Sequence, residues 1–157
     1  MAAPSLGFSG RQIEYQDEPI INGVTFWPDL NLADFQKSRT IPPELPASTA
    51  AQALLAAIAE INDDAADVVT YWQDKGHATA LDTPGAKMAD ENQLTAQYKK
   101  AVYARAKADL LGEFASIGRR ETHPGQESSE TRAILLAEAA FVLRNMKKFP
   151  RVGVHLI

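Results

Sequence analysis

The fold follows from residues 48–75, which read STAAQALLAAIAEINDDAADVVTYWQDK. Apolar side chains recur there at spacings of three and four, which places them on one face of an α-helix. The members of this apolar face are Leu54, Ile58, Ile61, Ala65, Val68 and Trp72. The opposite face is acidic, and Gly76 ends the helix. The stretch therefore predicts one long amphipathic helix of about 40 Å.

Two further stretches downstream repeat the helical spacing. A second long helix is expected from residue 90 or 91 to Gly118, and a third over residues 129–147. Their expected inward positions are Leu94, Tyr98, Ala101, Val102, Ala108, Leu111 and Phe114 on the second helix, and Leu135, Ala139, Val142 and Met146 on the third. Because the connections between the three helices are short, the sequence predicts that they pack antiparallel in one bundle.

The segment before the bundle, residues 18–30, reads EPIINGVTFWPDL. Residues 19–26 alternate and are rich in Ile, Val, Thr and Phe, which favours an extended, strand-like segment. Pro28 stops that segment, and Asp29 can cap a short helix over residues 29–37. The fold class expected is therefore mainly α, an antiparallel bundle of three long helices and one short helix with extended ends.

The two chain ends set the expected domain boundaries. Residues 1–17 lack an apolar pattern and predict a flexible N-terminal arm, whereas residues 18–149 form the bundle with its first strand. Residues 150–157, PRVGVHLI, predict a short extended tail. A tail this apolar needs a surface to lie on. Its period-two pattern suits addition to the sheet edge of another chain, and packing on its own helices fits the sequence equally well.

Phe26 and Trp27 are adjacent, so in an extended segment their rings point to opposite sides. One ring can enter the core of this chain, whereas the other needs a different surface. An aromatic side chain in that position is typical of an interface anchor. A segment folded back over its own bundle is an equally simple interpretation.

Composition excludes several classes of protein. The formal net charge of −4 and the pI near 5.4 argue against a protein that coats nucleic acid, because such binding depends on neutralising phosphates. The chain has no cysteine and therefore no disulfide or thiolate metal site. We also expect a soluble protein outside the general secretory route, since no signal-like start or long apolar run is present.

No pattern of catalytic residues stands out, and we assign no catalytic, cofactor-binding or metal-binding residue and no cofactor. The histidines His77, His123 and His155 are isolated, which does not suit a zinc site. An acidic row on the first helix could bind a cation only if a second helix supplied matching carboxylates, so a solvated or subunit-facing surface is favoured. The row consists of Glu60, Asp63, Asp64 and Asp67.

A basic group ends the third helix and includes Lys147, Lys148 and Arg151. It either complements the helix dipole or meets the acidic row of a neighbouring copy, an arrangement suited to head-to-tail rings. Two other classes of function stay open as alternatives to an interaction protein: a small DNA-binding protein that uses this basic group, and a metal-dependent protein that uses the acidic row.

Short motifs along the chain resemble those of one known family. They are Glu18-Pro19-Ile20-Ile21-Asn22 with Phe26 and Pro28-Asp29-Leu30, then Ala80-Leu81-Asp82 with Pro84, then Tyr98 with Ala101-Val102, and finally Pro150-Arg151 with Val154 and Ile157. In order and spacing they resemble the phage head completion protein L (gpL) family of temperate contractile-tailed phages. The likeness covers residues 18–157.

The resemblance implies a structural virion protein of the neck, assembled in the host cytoplasm and without enzymatic activity. It implies binding to the portal protein after DNA packaging, stabilisation of the filled head, and a ring of about twelve copies that a tail-terminator or neck protein meets. Packaged DNA would pass through this ring without sequence-specific contacts, and no membrane is involved. By position, the partner-binding role falls on Phe26, Trp27, Pro28, Asp29, Arg151, Val152, Val154 and Ile157.

Overall fold

The structure is a computed structural model that describes residues 15–117 and 126–147. In chain order its elements are β1 (Pro19–Ile20), β2 (Leu30–Asn31), α1 (Leu32–Ser38), α2 (Ala47–Asp64), α3 (Ala66–Asp74), a 3-10 turn (Ala80–Asp82), β3 (Lys87–Met88), β4 (Glu91–Asn92), α4 (Gln93–Ile117) and α5 (Gln126–Met146). Both strand pairs are short antiparallel ladders, with Pro19 opposite Asn31 and Lys87 opposite Asn92. The mainly helical class expected from the sequence is confirmed.

Helix α4 lies at the centre and packs against α2 and α5. Four consecutive residues, 101–104, are buried, so α4 is covered on all sides over this turn. Two of the four are alanines, whose small side chains let the neighbouring helices approach closely. The expected inward positions of α5, Leu135, Ala139, Val142 and Met146, are all buried. Six of the seven positions expected inward on α4 are buried as well, whereas the seventh, Phe114, is only partly buried.

The single long helix expected over residues 48–75 is wrong in one respect, because the chain divides it at Ala65. That residue has φ −101° and ψ 12° and separates α2 from α3. The carboxylates of Asp63 and Asp64 lie at the negative end of the α2 dipole, where acidic side chains destabilise a helix. The division places Asp67 in the first turn of α3, where a negative charge is favourable.

The extended segment expected over residues 19–26 is also wrong beyond its first two residues. After β1 the chain turns through Gly23, whose φ of 86° favours glycine. The amide of Trp27 then donates to the carbonyl of Val24 at 3.1 Å and closes a tight turn. Helix α1 is capped by Asn31, whose side chain accepts from the amides of Ala33 and Asp34, and not by Asp29 as expected.

The last residues of the expected N-terminal arm contact the bundle. The hydroxyl of Tyr15 donates to the carbonyl of Ile41 at 2.7 Å, and Asn31 donates to Asp17 at 2.6 Å. Residues 1–14 and the expected tail, 150–157, lie outside the described residues. Within the described part of the chain, no helix is long and apolar enough to cross a membrane.

Candidate interaction surfaces

The segment between β1 and β2 is fixed to the bundle by the side chain of Asn22, which is buried. Its amide nitrogen donates to the carbonyl of Pro28 at 3.1 Å and to the hydroxyl of Tyr98 at 2.7 Å. Tyr98 in turn donates to Asn62 at 2.7 Å, and Asn62 donates back to Asn22 at 2.9 Å. This closed ring of three hydrogen bonds joins the segment to α2 and α4.

Aromatic rings cover this polar ring. Trp27 stacks on Tyr98 with the ring centres 4.4 Å apart, and Phe26 meets the edge of Trp27 at 4.8 Å. Burial raises the pKa of the Tyr98 hydroxyl to about 12, and its bond to Asn22 opposes that rise. Tyr98 therefore keeps its proton at neutral pH and can donate to Asn62.

The structure corrects the expectation that Phe26 and Trp27 point to opposite sides. Their side chains are only 1% and 3% exposed, because the turn after Gly23 directs both rings inward. The folded-back interpretation of this segment is therefore correct, and neither ring offers a surface in this protomer. Pro28 is half-buried and Asp29 is exposed, with the Asp29 carboxylate accepting from the amide of Asn22 at 2.9 Å.

The other four expected partner-binding residues, Arg151, Val152, Val154 and Ile157, lie outside the described residues. The partner-binding assignment of all eight positions stays a prediction. Among the described residues, the structure brings together the four expected positions of the N-terminal segment. Phe26 and Trp27 lie in the core, and Pro28 and Asp29 lie near the surface.

A second buried asparagine, Asn92, organises the other end of α4. Its amide nitrogen donates to the carbonyls of Ala80 and Thr83 at 2.7 and 3.1 Å. Its side-chain oxygen accepts from the backbone amide of Thr95 at 3.0 Å, while the Thr95 hydroxyl accepts from the backbone amide of Asn92. This reciprocal pair is a capping box that begins α4. The bonds from Asn92 to Ala80 and Thr83 fix the 3-10 turn to the start of the helix.

Neither asparagine was identified from the sequence. The Asn92-x-x-Thr95 spacing was a signal for the second, since it is a polar cap three residues from its partner. No local sequence signal marked Asn22 as the residue that joins this segment to α2 and α4, because its partners Asn62 and Tyr98 lie 40 and 76 residues away.

The acidic row of α2 and α3 does not form a metal site. Glu60 pairs with Arg105 of α4, and Asp67 pairs with Lys147 at 3.6 Å. No group of three or more His, Asp or Glu side chains that could hold a metal ion occurs in residues 15–117 and 126–147. Two residues of the row therefore help to hold α4 to α2 and the end of α5 to α3.

A half-buried charged cluster joins α1, α4 and α5. Arg39 contacts both carboxylate oxygens of Glu138, at 2.8 and 3.1 Å, and also donates to the carbonyl of Lys100. The hydrogen bond from Arg39 holds the pKa of Glu138 below its usual range. Lys107 donates to the carbonyl of Arg39 at 2.7 Å, and burial lowers its pKa.

Among the described residues, two helix faces carry exposed apolar side chains. On α5, Ile134 and Phe141 are 61% and 52% exposed, and they lie seven residues apart on one side of the helix. The alanines at positions 133, 137 and 140 are also exposed and extend this surface, which we call the α5 outer face. On α2, Leu55, Ala56, Ala59 and Asp63 are exposed and form the α2 outer face.

Comparison with known proteins gives the family. A sequence model of the phage head completion protein (GPL) family matches residues 21–157. The chain belongs to this family. It is also 37% identical over 150 residues to a protein described as a probable head completion/stabilization protein, from Haemophilus phage HP1 (strain HP1c1), with 96% of this chain and 99% of that protein covered. No solved structure matches the chain.

These comparisons confirm the resemblance to this family that the sequence motifs indicated. The family consists of structural phage proteins and is not a class of enzymes, and membership implies a component of the virion. The match begins at residue 21 and therefore includes the Asn22 ring, both outer faces and the C-terminal tail.

Proposed function

We propose that this head completion protein binds the portal vertex after DNA packaging, stabilises the filled head, and forms a ring of about twelve copies on which the tail docks. Its partners are the portal protein, a tail-terminator or neck protein, and further copies of itself. Packaged DNA passes through the ring without sequence-specific contacts. The ring lies at the neck, between head and tail.

The observation that carries this proposal is the α5 outer face. Exposed apolar surface that extends over several turns of a helix is typical of an interaction site, because water does not solvate it favourably. Phe141 is the side chain best suited to anchor the contact, since aromatic residues carry much of the energy in protein interfaces. Its position on a helix that packs only one side against α4 leaves it free for a partner.

A second feature supports assembly between copies. The α2 outer face and the α5 outer face lie on helices that pack against the same central helix, and they present different residues. A contact between two unlike surfaces is heterologous, and repeated around an axis it closes into a ring. Asp63 at the edge of the α2 outer face adds a negative charge that fits a neighbour's basic side chain.

In the N-terminal segment, the positions that we propose to contact partners are fewer than the four expected from the sequence. Asp29 and the edge of Pro28 are accessible, whereas the rings of Phe26 and Trp27 act through the shape they give this segment. Arg151, Val152, Val154 and Ile157 retain their proposed role in the tail.

The test is association of the purified protein with the purified portal of its phage, followed by analytical ultracentrifugation. We expect a monomer or weak oligomer alone and a ring in the presence of portal, because the portal raises the local concentration of bound copies. Deletion of residues 150–157 should abolish binding and leave the helical circular dichroism signal intact.

The variant Phe141→Asp should weaken ring formation at least about tenfold, since it places a charge in an apolar contact. Thr131→Asp is the matched control, because it adds the same charge to the same helix at an exposed position away from Phe141. No association of the unaltered protein with portal would overturn the proposal.

A further inference from the structure

A cleft of about 320 Å³ opens where α3, the loop after the 3-10 turn, α4 and α5 meet. Its buried lining residues are Trp72, Thr83, Leu94 and Met146, and its exposed rim includes Gln93 and Asn145. The floor is thus mainly apolar, whereas the rim offers amide groups that can both donate and accept hydrogen bonds. Such a lining suits an extended peptide, whose side chains need apolar contacts and whose backbone needs polar partners.

A second hollow of about 200 Å³ lies on the other side of Met146, against α3. Val68 and Tyr71 line it together with Asp67 and Lys147. Met146 belongs to both hollows, and the described part of the chain ends at Lys147. The final ten residues therefore begin at the junction between the two hollows.

The composition of those ten residues, KFPRVGVHLI, matches their surroundings. Phe149 and Val152 can supply apolar side chains to the floor of the cleft. Lys148 and Arg151 carry positive charge that can reach Asp67, which pairs with Lys147 and whose side chain is more than half exposed. The five residues 148–152 can extend about 17 Å, which is enough to cross a cleft whose wall is formed in part by Asn145 and Met146.

We propose that this cleft binds the C-terminal segment of the same chain, residues 148–157, with its apolar side chains against Trp72. A segment attached at the edge of the cleft has an effective concentration in the millimolar range, which favours it over the tail of a second copy. This step rests on the proposed function: a partner protein must displace the tail from the cleft before it can bind the tail.

Disulfide trapping in the full-length chain tests the proposal, and it needs no portal. The chain has no native cysteine, so every disulfide formed reports only the introduced pair. Gln93→Cys at the rim is combined in turn with Phe149→Cys, Val152→Cys, Val154→Cys and Leu156→Cys. The matched control replaces Gln93→Cys with Gln52→Cys, which is exposed on α2. Mild oxidation is followed by non-reducing electrophoresis and intact mass.

We expect at least one rim pair to form an intramolecular disulfide about tenfold faster than its control, because a disulfide requires Cα atoms within about 7 Å. Circular dichroism of each variant before oxidation shows that it has folded. Covalent dimers in place of intramolecular bonds would assign the cleft to a neighbouring copy and overturn the proposal. Equal rates for the rim and control pairs at all four tail positions would also overturn it. Loss of portal binding alone would bear on the proposed function and not on this result.

Discussion

At the scale of single residues, two buried asparagines hold the least regular parts of the chain in place. Asn22 uses both hydrogens of its amide and both acceptor positions of its oxygen, the latter for Val24 and Asn62. A buried polar group that is fully bonded specifies one arrangement, because any other leaves an unpaired donor or acceptor. The segment that carries Phe26 and Trp27 therefore has a defined position on the bundle.

We predict that Asn22→Ala lowers the free energy of unfolding by about 2 kcal/mol, because it removes a hydrogen-bond partner from the buried Tyr98 hydroxyl and from the half-buried Asn62 amide. Urea denaturation monitored by circular dichroism measures the change. Ile21→Ala is the matched control, since Ile21 is the neighbouring residue and is exposed. Equal stability of the two variants would show that the ring of hydrogen bonds does not fix the segment.

The pair formed by Arg39 and Glu138 predicts a pH dependence. The pKa of Glu138 is lowered in the folded chain, so its stabilisation is complete above the ordinary carboxyl pKa and is lost as pH falls through the lower, folded value. We expect Glu138→Gln to cost about 1 kcal/mol at pH 7 and less at pH 3, where protonation of Glu138 begins to remove the charge from the pair. Denaturation at both pH values checks this, and an equal cost at each pH would contradict it.

At the scale of elements, helix ends depend on local polar chemistry more than on the apolar pattern. The periodicity identified α4 and α5 and most of the positions expected inward on them, because burial of one face recurs with the helical period, but it did not show that α4 is buried on all sides over residues 101–104. It did not show the division at Ala65, since the apolar stripe continues from Ile61 to Val68 across it. The division at Ala65 is instead favoured by the carboxylates on either side of it, which act through the helix dipole.

The capping box of α4 gives a prediction at this scale. Asn92→Ala should destabilise the protein by about 2 to 3 kcal/mol, because it removes the helix cap and the bonds to the 3-10 turn together. Amide hydrogen exchange should accelerate first at Leu94 and its neighbours in the first turn of α4. Asp90→Ala is the control, as Asp90 is exposed and two residues away. Unchanged exchange in the first turn would contradict the role of the cap.

How far the candidate site follows from the sequence depends on the range of the contacts. The motif around Phe26 and Trp27 could be recognised, yet its conformation could not, because the turn at Gly23 and the partners of Asn22 are set by distant residues. The apolar pattern of α5 did predict its buried face. The same pattern did not single out Ile134 and Phe141, since exposed apolar residues are common on protein surfaces and only their arrangement marks a patch.

At the scale of the whole molecule, the structure combines a buried centre with helix faces that remain exposed. Helix α4 is buried on all sides over residues 101–104, whereas α2 and α5 each keep an outer face with exposed apolar residues. Ion pairs between Glu60 and Arg105 and between Asp67 and Lys147 lie between the helices and leave those faces open. This division suits a protein that folds alone and then joins a larger assembly.

The most direct test is to add the purified protein to DNA-filled heads prepared without it, and to measure the bound copies per head and the DNA retained. We predict saturation at about twelve copies and retention of the DNA, and no binding to empty heads assembled without portal. Binding that is independent of portal, or that leaves DNA retention unchanged, would contradict the proposed role at the portal vertex.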